Sequence, residues 1–182
     1  PAYDPLEKVN RTVYRFNDAA DRWILRPVAV GYTKALPRPV RTGIHNVFDN
    51  ALYTVTIVND LLQGKFRQGG RDTGRFLLNT TVGLLGLFDP ATEVGLARND
   101  EDFGQTLATW GVGNGPYLVV PLFGPYTLRD GFGALLDLPL TPFFYADDDD
   151  AAIRWGLYAL YVVDKRSGLL DVDQQVREAF DP

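Results

Sequence analysis

The sequence predicts an all-α fold. Three observations carry that expectation: apolar residues recur at steps of three and four through most of the chain, proline and glycine fall at the ends of those stretches, and no persuasive β-hairpin pattern is found. Residues 4–25 open the chain as a helix, with Asp4 as N-cap, Pro5 at the first helical position and Glu7 completing a pattern like a capping box. Its apolar set is Leu6, Val9, Val13, Phe16, Ala20, Trp23 and Ile24, and Asp18 with Arg22 is one of its i,i+4 pairs on a solvated face. Arg26-Pro27 is expected to break this helix. A short helix follows from Pro27 to Leu36, closed by Pro37-Arg38-Pro39. From Pro39 to Gln63 the positions Val40, Ile44, Val47, Phe48, Ala51, Val55, Val58 and Leu62 hold the helical period. That run outweighs the strand preference of Thr54-Val55-Thr56-Ile57-Val58, and Gly64 supplies the stop.

Lys65 to Gly83 repeats the pattern with Gly69, Gly70, Gly74 and Gly83, a glycine density that points to close backbone approach to a neighbour or a flat ligand. Phe76 to Phe88 is an uncharged stretch of 13 residues, too short to cross a bilayer and suited to a buried or re-entrant segment. Asp89-Pro90 starts a short helix. Asn99-Asp100-Glu101-Asp102 has acidic character that suggests calcium, but it lacks the spacing and glycine of an EF-hand, and Asp102 is placed to cap the next helix. Phe103 to Leu128 then runs 26 residues without a charge, punctuated by five glycines and three prolines, so it cannot form one continuous helix. Its apolar residues demand burial, and irregular backbone of this kind belongs in a protein core or, within a membrane, along a cavity. Thr127 to Leu138 is helical in period, and Asp147 to Asp150 is an acidic loop whose last member can cap the helix after it. Ala151 to Arg166 is apolar nearly all round, which implies burial or contact with lipid, and Lys165 and Arg166 at its end suit both the helix dipole and lipid headgroups. Leu169 to Phe180 closes the chain as an ordinary amphipathic helix.

Composition narrows function. The 182 residues are read as one domain, 1–182, and the net charge of −5 removes the basic footprint of a nucleic-acid binder. Cysteine is absent, and the lone histidine, His45, cannot build a multi-histidine metal site within one chain. The lone serine, Ser167, lies in a helix-end context, so a hydrolase would have to join Ser167 to His45. No enzyme activity, metal or cofactor is expected. No signal peptide opens the chain, which starts Pro1-Ala2-Tyr3, and no uninterrupted apolar span of bilayer length occurs.

Several motifs, in order and spacing, make the chain resemble the MlaA (VacJ) phospholipid-transport lipoproteins. They are Asp4 to Arg11 (DPLEKVNR), Phe16 to Asp18 (FND), Arg26 to Ala29 (RPVA), Asn59 to Gly64 (NDLLQG) and Gly74 to Thr80 (GRFLLNT). The series continues with Phe103 to Leu107 (FGQTL), Trp110 to Tyr117 (WGVGNGPY) and Leu128 to Gly131 (LRDG). Ala108 and Tyr126 depart from the family pattern, at positions where a glycine and a small polar residue are common. The lipid-attachment cysteine of such lipoproteins is missing, which fits its removal with the signal sequence.

The resemblance implies a compact disc of short helices in the periplasmic leaflet of the outer membrane, lipid-anchored in the full-length protein and seated beside a trimeric porin. It implies a central amphipathic passage that takes outer-leaflet phospholipid toward a soluble periplasmic lipid-carrier protein, maintaining lipid asymmetry without covalent chemistry. The competing reading is a helical scaffold that binds porins and passes no lipid. A phospholipid needs a polar track and an apolar one. The candidate polar track is Arg129 and Asp130, with Asn17 and Asp18 secondary; the candidate apolar wall is Tyr117, Leu118, Val120, Leu122 and Phe123.

Overall fold

The computed structural model describes residues 5–145, 151–173 and 175. Helix α1 (Glu7–Ala20) passes without interruption through a π-helical turn, Asp21–Leu25, into α2 (Arg26–Ala35). The break expected at Arg26-Pro27 does not occur. Within an α-helix the Pro27 ring would press on the carbonyl one turn back. Here the turn before it is widened, with the Arg26 N–H donating to the Asp21 carbonyl five residues back, and Pro27 falls in the first turn of α2. Pro5 lies in a turn ahead of α1 and not at its first position, and the Asp4 cap lies outside the described residues.

Helix α3 (Arg38–Leu62) matches the predicted span closely. Its end is closed by Gly64 at φ 75°, with Lys65 N–H donating to the Asp60 carbonyl at 2.9 Å. Helix α4 (Phe66–Thr81) returns against α3. The turns after it hold Leu84 and Leu85 at φ 53° and 60°, a left-handed conformation that costs a branched side chain of order 1 kcal/mol or more, and both leucines stand exposed. Helix α5 (Pro90–Glu93) is capped by Asp89, and α6 (Phe103–Thr109) by Asp102, whose carboxylate accepts the Gln105 N–H at 2.7 Å. The acidic run is thereby spoken for: Asp100 pairs with Arg98, Glu101 with Lys65, and Asp102 caps.

A hairpin occupies the middle of the uncharged stretch, correcting the expectation that none would form. Strands β1 (Tyr117–Val120) and β2 (Gly124–Thr127) pair antiparallel, with Val119 opposite Pro125. The ladder survives Pro125 because Val119 turns its own N–H away from β2, to the Asn10 side chain of α1 at 2.9 Å. The connecting turn places Pro121 second and Leu122 third, with Leu122 at φ 67°, where glycine is usual. Helix α7 (Leu128–Asp137), capped by Thr127, leads through 3-10 turns at Leu138–Leu140 and Pro142–Tyr145. Helix α6 packs on α7 through Gly104 and Gly133; a Cβ on Gly133 would lie 2.3 Å from the Gly104 nitrogen. Helix α8 (Ala151–Gly168) lies against α2 and α3. Residues 170–173 are helical; the remainder of the expected last helix and the Asp147–Asp150 loop lie outside the described residues.

In α1, α3 and α4 the most deeply buried side chains are mostly polar, and the apolar stripes are largely half-buried or exposed. In α1 the buried residue is Asn10, while Val9 and Phe16, and Trp23 and Ile24 in the π-helical turn after it, are exposed. In α3 the predicted stripe is buried only at Phe48; the fully covered face carries Asn50, Tyr53, Thr56, Asn59 and Asp60. Helix α4 answers with Asp72, Arg75 and Asn79. Among the described residues twelve buried side chains are polar and five apolar, while 34 large hydrophobic residues are exposed. The accessible surface, 12052 Å² for 20.3 kDa, exceeds the roughly 8,800 Å² of a close-packed monomer of this mass. No described helix is long and apolar enough to cross a membrane.

Candidate functional site

The inward polar faces of α3 and α4 are held by hydrogen bonds from side chains far apart in sequence. Asn59 donates to Asp137 at 2.9 Å and accepts from Thr106 at 2.6 Å, while Asp137 accepts the Phe103 N–H at 3.0 Å. Tyr53 donates to Asp72 at 2.8 Å, and Asn99 links Asp72 to the Tyr53 hydroxyl. Arg75 binds Asp89 at 2.6 Å and the Leu96 carbonyl at 2.5 Å. Buried groups paired in this way stiffen the frame, where unpaired ones would destabilise it.

Tyr53 of that frame also lines a cavity of about 490 Å³. Its apolar side is made by Leu52 and Val55 of α3, Phe123 of the hairpin, Leu138, and Tyr158 and Tyr161 of α8. Its polar side is made by Asp49, Arg98, Asp100, Glu101, Asp102 and Lys165. The volume lies within the roughly 300–1,000 Å³ of small-molecule pockets, and a lining that holds both apolar and charged side chains suits an amphiphile. Tyr161 packs edge-on against Phe48 at 5.5 Å, and Lys165 Nζ sits 5.7 Å from its ring centroid.

Asp49 is the hub of the polar side. Its carboxylate meets Arg98, Lys165 Nζ at 3.1 Å and His45 Nε2 at 3.1 Å. Burial raises the Asp49 pKa, but the His45 hydrogen bond and the charges of Lys165 and Arg98 outweigh it and hold the group at about 2. His45 is raised above its ordinary value, foremost by its hydrogen bond to Asp49, and its other nitrogen lies 2.8 Å from Asp164. Both imidazole nitrogens are thus engaged by carboxylates, while the Ser167 hydroxyl donates to the Asp164 carbonyl at 2.7 Å. In this arrangement neither nitrogen is open to take a proton from Ser167. Behind Asp49 lies a second, polar cavity of about 160 Å³, lined by His45, Asn46, Asn50, Asn79 and Thr92 among others.

The sequence-predicted residues fall in three places. Arg129 pairs with its neighbour Asp130 at 2.8 Å, and Asp130 also exchanges hydrogen bonds with Thr127 at the start of α7. Asn17 brackets the hairpin turn, donating to the Val120 carbonyl at 3.0 Å and accepting the Leu122 N–H at 2.8 Å, whereas Asp18 pairs with Arg22 along α1. Of the apolar set, Phe123 lines the large cavity. Tyr117 lines a separate groove against α1, Leu118 and Val120 are half-buried in β1, and Leu122 is exposed at the turn. Sequence reasoning missed Asp49 and Arg98. The available signal was that Asp49 is the one carboxylate or full cation between Arg41 and Asp60, in the middle of a long helix.

A family model described as MlaA lipoprotein matches residues 2–182. The chain is 38% identical over 190 residues to the intermembrane phospholipid transport system lipoprotein MlaA of Escherichia coli, covering 98% of this chain and 72% of that protein. It is 33% identical over 184 residues to the protein of the same name from Haemophilus influenzae, covering 98% and 72% respectively. An uncharacterized protein of Rickettsia prowazekii is 36% identical over 181 residues, covering 99% and 72%. A solved structure reported under "Structural basis for maintenance of bacterial outer membrane lipid asymmetry" superposes with a TM-score of 0.80 at 38% identity, over 96% of this chain and 88% of that one.

Proposed function

Since this chain belongs to the MlaA lipoprotein family, we propose that it transports phospholipid, giving lipid of the outer leaflet of the outer membrane an amphipathic passage toward a soluble periplasmic carrier. The observation that carries the reading is the inverted polarity of the fold. A chain that hides Asn59, Asp60, Asp72 and Thr106 completely while leaving Trp23, Phe66 and Leu85 about 70% exposed or more is built for apolar surroundings. Its short helices form a collar in the periplasmic leaflet, with the lipid anchor of the full-length protein holding it there. The non-helical residues 111–116 stand exposed, and the Leu128 and Arg129 N–H groups donate to the Pro116 and Asn114 carbonyls, satisfying part of that backbone within the protein as a membrane requires. Headgroup and tails then find both charged and apolar side chains in the cavity of about 490 Å³. Arg129, Asp130, Asn17 and Asp18 remain candidates for the polar approach to it, and Tyr117, Leu118, Val120, Leu122 and Phe123 for the apolar one. The exposed apolar rim is also the surface on which a trimeric porin would seat.

The test blocks the cavity from within. Val55→Trp fills it from α3 without touching the exposed rim. In cells lacking the native protein, the variant is expected to leave phospholipid accumulating in the outer leaflet as the deletion does, while porin co-purification and helix content stay at wild-type levels. Normal asymmetry with a correctly folded Val55→Trp protein refutes the passage and leaves the rim as a scaffold for porins.

A further inference from the structure

The two cavities share one partition, and it is a cluster of three cations that all meet the Asp49 carboxylate, two of them shared with a second carboxylate. Asp49, Tyr53 and Arg98 line both the larger cavity and the smaller one. On Asp49 converge Arg98, Lys165 at 3.1 Å and His45 at 3.1 Å. The Asp49 side chain is 14% exposed, while its three partners are each about 40% exposed, so the anion is hidden and the cations face the cavities. Two further carboxylates share these cations, and the remaining charges nearby are paired outside the cluster. Asp100 holds the outer side of Arg98 at 3.0 Å, Asp164 holds His45, Glu101 is tied to Lys65, and Arg75 to Asp89.

We propose that Arg98, Lys165 and His45 form a phosphate station for a phospholipid headgroup, and that Asp49 is the internal anion a phosphodiester displaces there. This rests on the lipid-passage reading above. A phosphodiester carries one negative charge and two free oxygens set at an angle like those of a carboxylate, so it can take over the same donors. The walls orient it. Leu52, Val55, Phe123 and Tyr158 of the larger cavity receive the proximal tails, while the smaller chamber is polar and accepts the headgroup. Asp49 also keeps the station neutralised between lipids, which weakens binding enough for the lipid to leave, as a conducting site requires.

The experiment titrates protein in non-ionic detergent with dihexanoyl phosphatidylglycerol, with dihexanoylglycerol, which has the same tails and no phosphate, and with inorganic phosphate. The wild-type chain is expected to prefer the phospholipid to the neutral lipid by about tenfold or more, the size of one charge-assisted hydrogen bond. In the Arg98→Gln, Lys165→Gln double variant that ratio is expected to fall to about one. Asp49→Asn, which removes the competing anion, is expected to tighten phospholipid binding by about tenfold, a gain that misfolding cannot produce. Equal binding of both lipids by the wild type, a ratio that survives the double variant, or no gain in Asp49→Asn overturns the station. Inorganic phosphate competing as strongly as the phospholipid overturns it as a lipid site. Binding of neither lipid overturns the passage itself.

Discussion

Asn10 and Asn17 stand seven residues apart on one face of α1, and each offers β1 what a third strand would. Asn10 donates to the Tyr117 carbonyl at 3.0 Å and accepts from Val119 at 2.9 Å; Asn17 repeats the arrangement at Val120 and Leu122. Replacing Asn10 with leucine keeps the branched shape, with somewhat larger end groups, and removes both bonds. Val119 is 5% exposed and Asn10 4%, so the Val119 N–H is left buried without a partner, at about 1–3 kcal/mol. Loss of the bond to Tyr117, which is 47% exposed and can turn to water, adds about 1 kcal/mol. A total of about 2–4 kcal/mol predicts a fall in melting temperature of roughly 5–15 °C for a chain of this length. Asn10→Asp retains the acceptor for Val119 and should cost less than the leucine. Thermal unfolding in detergent micelles gives the energy, and amide exchange at Val119 gives the place. A loss under about 0.5 kcal/mol, or unchanged protection at Val119, would refute the claim that α1 completes the hairpin.

Leu122→Gly is expected to stabilise the folded protein by up to about 1 kcal/mol, because the turn imposes a φ of 67° that glycine adopts freely; a lower melting temperature would mean that Leu122 packing outweighs the strain. Gly133→Ala should destabilise by about 1–3 kcal/mol or more, since its Cβ would meet Gly104 backbone and not a yielding side chain; an unchanged denaturation midpoint argues against close α6 to α7 packing. Arg75→Gln should cost about 1–3 kcal/mol by removing the charged partner of Asp89, which keeps Asn79 and Thr92, and the donor to the Leu96 carbonyl, measured in the same unfolding assay, and a neutral result would remove Arg75 from the frame. Asp60 is fully buried, and burial, then its hydrogen bond to Asp72, pushes its pKa from 3.8 up to about 7. The folded state therefore binds this proton more tightly than the unfolded chain does. The associated stability is complete below about pH 4 and is lost as pH rises through about 7. Melting temperatures from pH 5 to 8 should show that fall, reinforced by His45, whose pKa is also raised. Asp60→Asn, which keeps a donor for Asp72 and has no proton to lose, should reduce it, and an identical pH profile in the variant would assign the fall elsewhere.

The helices and most of their ends were legible in the residues alone. Periodicity located α3 and α8 to within a few residues, and local chemistry placed the Asp102 cap, the helix start at Asp89-Pro90 and the Gly64 stop, because these depend on neighbours a turn or less away. The motif series also carried the family. Packing settled three things that no local pattern contains. The phase of an amphipathic helix tells that two faces differ, not which of them turns inward, so the buried row Asn50, Tyr53, Thr56, Asn59 and Asp60 needed the opposing row on α4 to become a core. The hairpin was hidden because two short strands with Pro125 between them are weak alone, and the asparagines that hold β1 lie more than a hundred residues earlier. The cation cluster was hidden for the same reason. Asp49, Arg98 and Lys165 sit on three separate segments, and their charges acquire a common meaning only where the folded chain brings them to one carboxylate between two cavities.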